Sequence, residues 1–258
     1  MIRGRLISWL MWMVVLTACQ RAPVKPDNVP TVSGSDAPSP ADVYVQLGGE
    51  YLRKGDLQVA FQNLQKALSL DSGNAQAHNT IGLLYERMGN PPQAEEHFRQ
   101  AVSIKPGDSY IHNAYGSFLC AQQRFEEADR EFRLALDNPL YNTPWVPLTN
   151  AGLCTRRSGD PARAEGYLRR ALSLNPNIPQ AIAGMANVQF DQGNPMATRG
   201  YILRYLAAYP PTPDILWLAI RTERKLGDHK AAAQYQQTLL ARFPDAPEVQ
   251  SLNESSHP

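Results

Sequence analysis

From residue 41 onward the apolar positions of this chain recur with two superposed periods. The short one is helical. Ala128, Phe132 and Ala135 stand at i, i+4 and i+7, and the pairs Ala60–Ala67 and Ala94–Ala101 keep the same seven-residue step along one helix face. The long period is marked by turns, at Gly55–Asp56, Gly89–Asn90, Gly159–Asp160, Gly193–Asn194 and Gly227–Asp228. The first two pairs are 34 residues apart, as are the last three in succession, and the remaining gap of 70 equals two periods plus two residues. A hidden repeat with a two-residue insertion is therefore expected, carrying Gln123–Arg124 where the turn glycine should stand. Glycine can take the left-handed conformation that ends a helix, and the Asp or Asn after it can cap the next one. Pro106, Pro176, Pro210 and Pro244 close four of the six periods, because proline lacks an N–H and disfavours helix at the residue before it. Each period thus predicts a helix, a tight turn and a second helix. Gly48, Gly82, Gly116 and Gly152 precede the turns by seven residues, and small residues follow them by five (Ala60, Ala94, Ala128, Ala164, Thr198, Ala232). Such small residues let the two helices approach closely.

A single hairpin of this kind cannot bury its own apolar face, whereas stacking on its neighbours does so. The 34-residue period and the small–large pattern resemble the tetratricopeptide (TPR) repeat. The resemblance implies an all-α, right-handed superhelical solenoid of six helix hairpins at 41–74, 75–108, 109–142, 145–178, 179–212 and 213–246. A C-terminal tail at 247–258 follows. The third and fourth repeats depart from the pattern, since the stretch NPLYNTPWVPL (138–148) carries three prolines. An altered stacking angle is expected there, dividing the array into two three-repeat halves.

The first nineteen residues, MIRGRLISWLMWMVVLTAC, have a different pattern. Arg3 and Arg5 form a basic start, and the uncharged apolar run after them is about a dozen residues, short of the roughly 20 that span a bilayer. It reads as a cleaved export signal over 1–18. Its end, Leu16-Thr17-Ala18-Cys19, resembles the lipobox of bacterial lipoproteins. That resemblance implies a diacylglyceryl group on the Cys19 thiol, cleavage before it, and acylation of the new amine, with palmitate as the expected chain. Several acyl chains hold a protein firmly on a membrane where one does not. Gln20 is not the Asp that retains such lipoproteins at the inner membrane, so the resemblance favours the outer membrane. Residues 19–40 continue as a segment rich in Pro, Ser and Asp with no aromatic residue, expected to be a disordered tether. Twenty such residues reach ~25 Å as a coil and ~70 Å extended.

Composition narrows the function. Of 258 residues, 43% are hydrophobic and 19% charged, so a core can form. The net charge of +1 is spread along the chain and gives no basic footprint for nucleic acid. Cys120 and Cys154 either pair in an oxidising compartment or serve as small buried residues; the usual burial of unpaired Cys favours the second reading. His78 and His112 occupy the same place in successive repeats and are expected to be packing residues. His97 and His229 have no Cys or carboxylate partners at metal-ligand spacing. There is no Gly-rich phosphate loop, no H-E-x-x-H and no G-x-S-x-G. No catalytic residue, metal, cofactor or small-molecule substrate is expected, and the chain reads as a binding protein rather than an enzyme.

In TPR proteins the concave groove is built from the second, fifth, ninth, twelfth and thirteenth positions of each first helix. Those positions give Val45, Leu52, Arg53, Asn79, Leu83 and Arg87 in the first two repeats. They give Tyr110, Asn113, Leu153, Arg156 and Arg157 in the third and fourth, and Trp217, Arg221, Arg224 and Lys225 in the sixth. Apolar residues mixed with Arg and Asn suit a peptide-binding groove, although any one of these arginines reads equally well as a solvating side chain.

Lipobox, tether and six TPRs together resemble the type IV pilus biogenesis and stability lipoproteins called PilF or PilW. The segments QLGGEYLRKGD (46–56), YGSFLCAQQRFEEA (115–128) and NAGLCTRRSGDPARAEGYLRRAL (150–172) carry the likeness. It implies a pilotin that binds secretin subunits of the type IV pilus, escorts them to the outer membrane, and promotes the multimeric pore needed for pili and twitching motility. It also implies Cys19 as lipidation site. The alternative is a TPR lipoprotein scaffold for another envelope-assembly or peptidoglycan-enzyme complex.

Overall fold

The computed structural model describes residues 38–254, which form thirteen α-helices and no strand. Twelve pair into hairpins: α1 (Pro40–Lys54) with α2 (Leu57–Leu70), α3 (Ala75–Arg87) with α4 (Pro91–Ile104), α5 (Ser109–Ala121) with α6 (Phe125–Leu136), α7 (Trp145–Arg157) with α8 (Pro161–Leu174), α9 (Pro179–Asp191) with α10 (Pro195–Ala208), and α11 (Pro213–Leu226) with α12 (His229–Arg242). The export signal, Cys19 and the tether up to residue 37 lie outside the described residues.

The turns follow the glycine frame. Gly55, Gly89, Gly159, Gly193 and Gly227 all have φ between +71° and +89°, the left-handed region where a Cβ is penalised. Gln123 takes the same conformation (φ 61°) in the third repeat, so the turn is kept without the residue that makes it easy. After the turn, the side chains of Asp56, Asn90, Asp160 and Asp228 accept hydrogen bonds from the backbone N–H three residues on. Asn194 does not cap; its amide donates to Gln189 Oε1 (3.2 Å) instead.

Inside each of the first four hairpins one contact repeats. A Cβ on Gly116 would lie 2.9 Å from the Phe132 ring and 3.2 Å from the Ala128 carbonyl. Gly48, Gly82 and Gly152 face Leu64, Phe98 and Leu168 in the same way. The glycine is a socket for a large side chain sixteen residues later, and Ala60, Ala94, Ala128 and Ala164 are fully buried beside it. Between hairpins the first helices touch in succession, α1 on α3, α3 on α5, α5 on α7 and α7 on α9, while the second helices of neighbouring repeats make no comparable contact among the described residues. The first helices therefore occupy the inner radius of a curved stack, and their exposed side chains form its concave face.

Three expectations are corrected. The stretch 247–258 is not a plain tail: α13 (Pro247–Glu254) packs on α11 and buries Leu252 against Leu216, Ile220 and Leu239, which closes the apolar end of the last repeat. The array does not divide into halves at the insertion, because α6 packs on α7 at least as extensively as α2 on α3 or α4 on α5, and the described residues 38–254 form one compact unit. The extra residues are absorbed by a loop. Within it Asn138 Oδ1 accepts from the Leu140 N–H, Tyr141 is buried edge-on against Tyr110 at 4.9 Å, and the Tyr110 hydroxyl donates to Asn142 Oδ1 (2.7 Å). Finally, Cys120 and Cys154 are bonded to each other, joining α5 to α7 across this same junction with Cα atoms 5.8 Å apart.

The histidines are polar ties rather than packing residues alone. His112 is buried (2% exposed) and joins the Pro106 carbonyl (2.8 Å) to Glu131 Oε2 (2.6 Å), thus loop to second helix. One period earlier His78 joins the Ser72 carbonyl to His97 Nδ1 (3.0 Å). His97 and Glu131 are themselves 34 residues apart, so the tie is a repeat position filled once by a neutral ring and once by a carboxylate. The Glu131 hydrogen bond holds the His112 pKa above its ordinary value, outweighing burial. Burial, and then the charge of His78, push that of His97 down.

The disulfide closes a loop of 34 residues, which in the chain-entropy picture stabilises by about 3–4 kcal/mol. Replacing both cysteines by Ser is expected to lower the denaturant midpoint accordingly, with helix content at low temperature unchanged by circular dichroism. For His112 the folded pKa exceeds the unfolded one. Its contribution is therefore complete below about pH 6.5 and lost as pH rises through the folded pKa. Glu131→Gln should accordingly depress Tm relative to the parent more at pH 5.5 than at pH 8.5; an equal or opposite difference would show that the pair is not ionic.

Candidate partner-binding face

Among the described residues no repeat covers the N-terminal stacking side of α1, beside the concave face. Val43 and Leu47, one helical turn apart, are each about two-fifths exposed there, and Val45 beside them is half-buried. Of the groove positions expected in the first two repeats, two turn inward. Leu52 is buried with Leu64, Ile81 and Leu84, because α3 closes over the C-terminal end of α1. Asn79 is also buried (8% exposed), and its Oδ1 has no hydrogen-bond partner. Neither is available to a partner as an exposed groove residue. Leu83 is half-buried between two core clusters. Arg87 donates to the Leu52 carbonyl (2.6 Å) and so ties α3 to α1, while Arg53 is exposed and ion-paired to Glu50.

Farther along, the expected residues come together. Tyr110 is half-exposed at the edge of the face, over the loop that holds Tyr141. Asn113 Oδ1 accepts from Asn150 Nδ2 (2.9 Å), which links α5 to α7. A small cleft of about 170 Å³ lies beside the disulfide, lined by Ser117, Asn150, Leu153 and Arg157. Leu153 also belongs to a larger cleft of about 340 Å³ that continues across α9 to the start of α11, with Arg156, Gln180, Ala183 and Asn187. Arg156 is held at its rim by Asp191 (2.6 Å). Trp217 is half-buried on α11, with the Arg221 guanidinium 6.0 Å from its ring.

Sequence reasoning missed Val43 and Leu47, which the repeat positions do not mark as groove and which are exposed because, among the described residues, no helix stacks on α1 from the N-terminal side. It also missed Phe190, whose ring lies under Arg221 at 4.4 Å and Lys225 at 4.1 Å. A clue was present: Arg221 and Lys225 follow Trp217 at successive steps of four on one helix face. The disulfide was hidden because the two-residue insertion puts Cys120 and Cys154 at different places of the glycine frame.

Among the described residues no group of three or more His, Cys, Asp or Glu side chains could hold a metal ion, and no helix is long and apolar enough to cross a membrane. What the face offers is apolar area, side-chain amides and guanidinium groups along a curved track. That is equipment for binding protein segments.

Comparison with known proteins agrees with this geometry. Models of the tetratricopeptide repeat match residues 51–116 and 183–247. The type IV pilus assembly protein PilF of Pseudomonas aeruginosa is 29% identical over 151 residues, which span 58% of this chain and 60% of that relative's length. The crystal structure of PilW, a widely conserved type IV pilus biogenesis factor, superposes with a TM-score of 0.79 at 32% identity, covering 84% of this chain and 99% of that one. The structure of Pseudomonas aeruginosa pilF gives 0.74 at 29% identity, over 83% and 97%. With the same stacked hairpins, nearly the full length of PilW and a third of its residues in common, this chain belongs to the PilF/PilW family of tetratricopeptide-repeat proteins of type IV pilus biogenesis.

Proposed function

We propose that this protein is a lipid-anchored pilotin: it binds subunits of the type IV pilus secretin, and the lipid on Cys19 carries the complex to the outer membrane, where the secretin assembles. The observation that carries this reading is the likeness to PilW over 99% of that chain. The lipobox at Leu16–Cys19 adds the anchor, and Gln20 the outer-membrane address. The described residues fit a carrier. A curved stack presents a long track of side chains without moving, so binding costs little reorganisation of the protein. The exposed apolar face of α1 lies where the chain leaves for its tether, which would hold a captured segment close to the membrane surface.

Two experiments test the proposal in a host that assembles the pilus. Cys19→Ser is expected to leave the protein folded but absent from the outer membrane, with secretin multimers on heat-resistant gels reduced about tenfold or more. Normal multimers with an unlipidated protein would remove the anchor from the mechanism. Val43→Glu with Leu47→Glu is expected to weaken capture of purified secretin by about tenfold or more, since each change puts a charge against apolar surface. Because both residues are already partly exposed, Tm should stay near the parent value. Undiminished capture would move the secretin contact off α1.

A further inference from the structure

The opposite end of the concave face carries charge that the fold does not use. Arg221 and Lys225 are exposed on α11, one turn apart, and both lie over one ring, that of Phe190 on α9, at 4.4 and 4.1 Å from its centroid. Phe190 itself is 6% exposed, so the two cations form its cover. Cations spaced i, i+4 on a helix repel one another by a few tenths of a kcal/mol, and no carboxylate among the described residues offsets this pair. The nearby candidates are already engaged. Asp191 at the end of α9 is bound by Arg156 (2.6 Å), and Glu223 is buried under the Arg199 guanidinium. Arg157 at the end of α7 adds a third exposed cation with no carboxylate paired to it among the described residues; its guanidinium approaches Cys120 Sγ at 3.8 Å. The first helices run parallel, so the C-terminal ends of α7, α9 and α11 lie along one edge of the face, and these cations form a strip across it.

Two features turn a basic strip into a site. A guanidinium stacked on an aromatic ring is already oriented, so less rotamer freedom is lost when a carboxylate accepts its two parallel N–H bonds. The face also holds the 340 Å³ cleft, which none of the three cations lines but which begins at Arg156, next to Arg157 in the chain; it offers Leu153 and Ala183 as apolar floor with Gln180 and Asn187 as amide donors and acceptors, and Asp214 lines its far end. A compact anion would need only the cations. An extended polypeptide uses both.

We infer that the concave face of repeats four to six is a second docking site, whose occupant is an extended, acidic segment of a partner protein, its carboxylates on Arg221, Lys225 and Arg157 and its apolar side chains in the adjoining cleft. This site lies at the other end of the solenoid from α1 and does not depend on the pilotin reading.

The test is fluorescence anisotropy on the purified full-length protein in detergent, with a labelled dodecapeptide of alternating Leu and Glu and its Leu–Gln counterpart. The Glu peptide should bind about tenfold more tightly than the Gln peptide at about 50 mM salt, and the advantage should collapse near 0.5 M. Arg221→Gln with Lys225→Gln should abolish the difference while leaving Tm unchanged, and Arg221→Glu with Lys225→Glu should transfer the preference to a Leu–Lys peptide. Equal affinity of the unaltered protein for the Glu and Gln peptides overturns the inference without recourse to any variant. So does an unaltered Glu-peptide preference in the Arg221→Gln, Lys225→Gln protein. Vesicles of phosphatidylcholine with about one-third phosphatidylglycerol form the remaining arm. If they bind through Arg221 and Lys225 while the Glu peptide does not, the site is for a membrane headgroup and the inference fails.

Discussion

The structure depends on one close approach, that of the two helices within a repeat. Where Gly48, Gly82, Gly116 and Gly152 receive Leu64, Phe98, Phe132 and Leu168, no Cβ fits between the helices unless a ring or a backbone carbonyl moves. That contact brings the helices together, buries the alanines beside it and leaves each hairpin with apolar faces that only another hairpin can cover. Stacking is then a consequence rather than a separate device. The end of the array needs a different solution, which α13 supplies by laying Leu252 on the last repeat.

Once hairpins stack with the first helices on the inner radius, the chemistry of the concave face is settled by what those helices can expose. At the start the face is edged by apolar surface, because among the described residues no helix precedes α1 and Val43 and Leu47 stay uncovered. In the middle it is polar and tied across repeats by Asn113, Asn150 and the disulfide. At the end it is basic and aromatic, with Arg221 and Lys225 over Phe190. A curved track of changing chemistry suits a protein that handles another chain segment by segment. The junction between the third and fourth repeats is the place where the period slips by two residues, and it is also where the only cross-link among the described residues lies. The bond holds together the two first helices whose register the insertion disturbs.

The family supplies the biological setting, pilus biogenesis, and the described residues supply the physical means, a rigid curved surface with two chemically distinct ends. The histidine ties add a smaller lesson about repeats. The same two positions hold a His–His pair in one repeat and a His–Glu pair in the next, so the geometry recurs between repeats while the chemical pair that fills it changes.

The sequence by itself determined the solenoid. A 34-residue period, glycine turns and small residues at fixed offsets are local signals, repeated often enough that one missing glycine at Gln123 did not obscure them. Which residues of the first helices share a face was legible too, since a helical position fixes the direction a side chain points. Tertiary structure decided the remainder, because burial depends on what comes next to a helix rather than on its own period. Leu52 and Asn79 share the register of groove residues, but the following helix covers them. The pairing of Cys120 with Cys154 required the actual offset between α5 and α7 across an insertion. The stacking of Arg221 and Lys225 joins residues of two helices more than thirty positions apart. A periodic sequence tells which face a residue is on; only the packed array tells whether that face is open and which charges meet there.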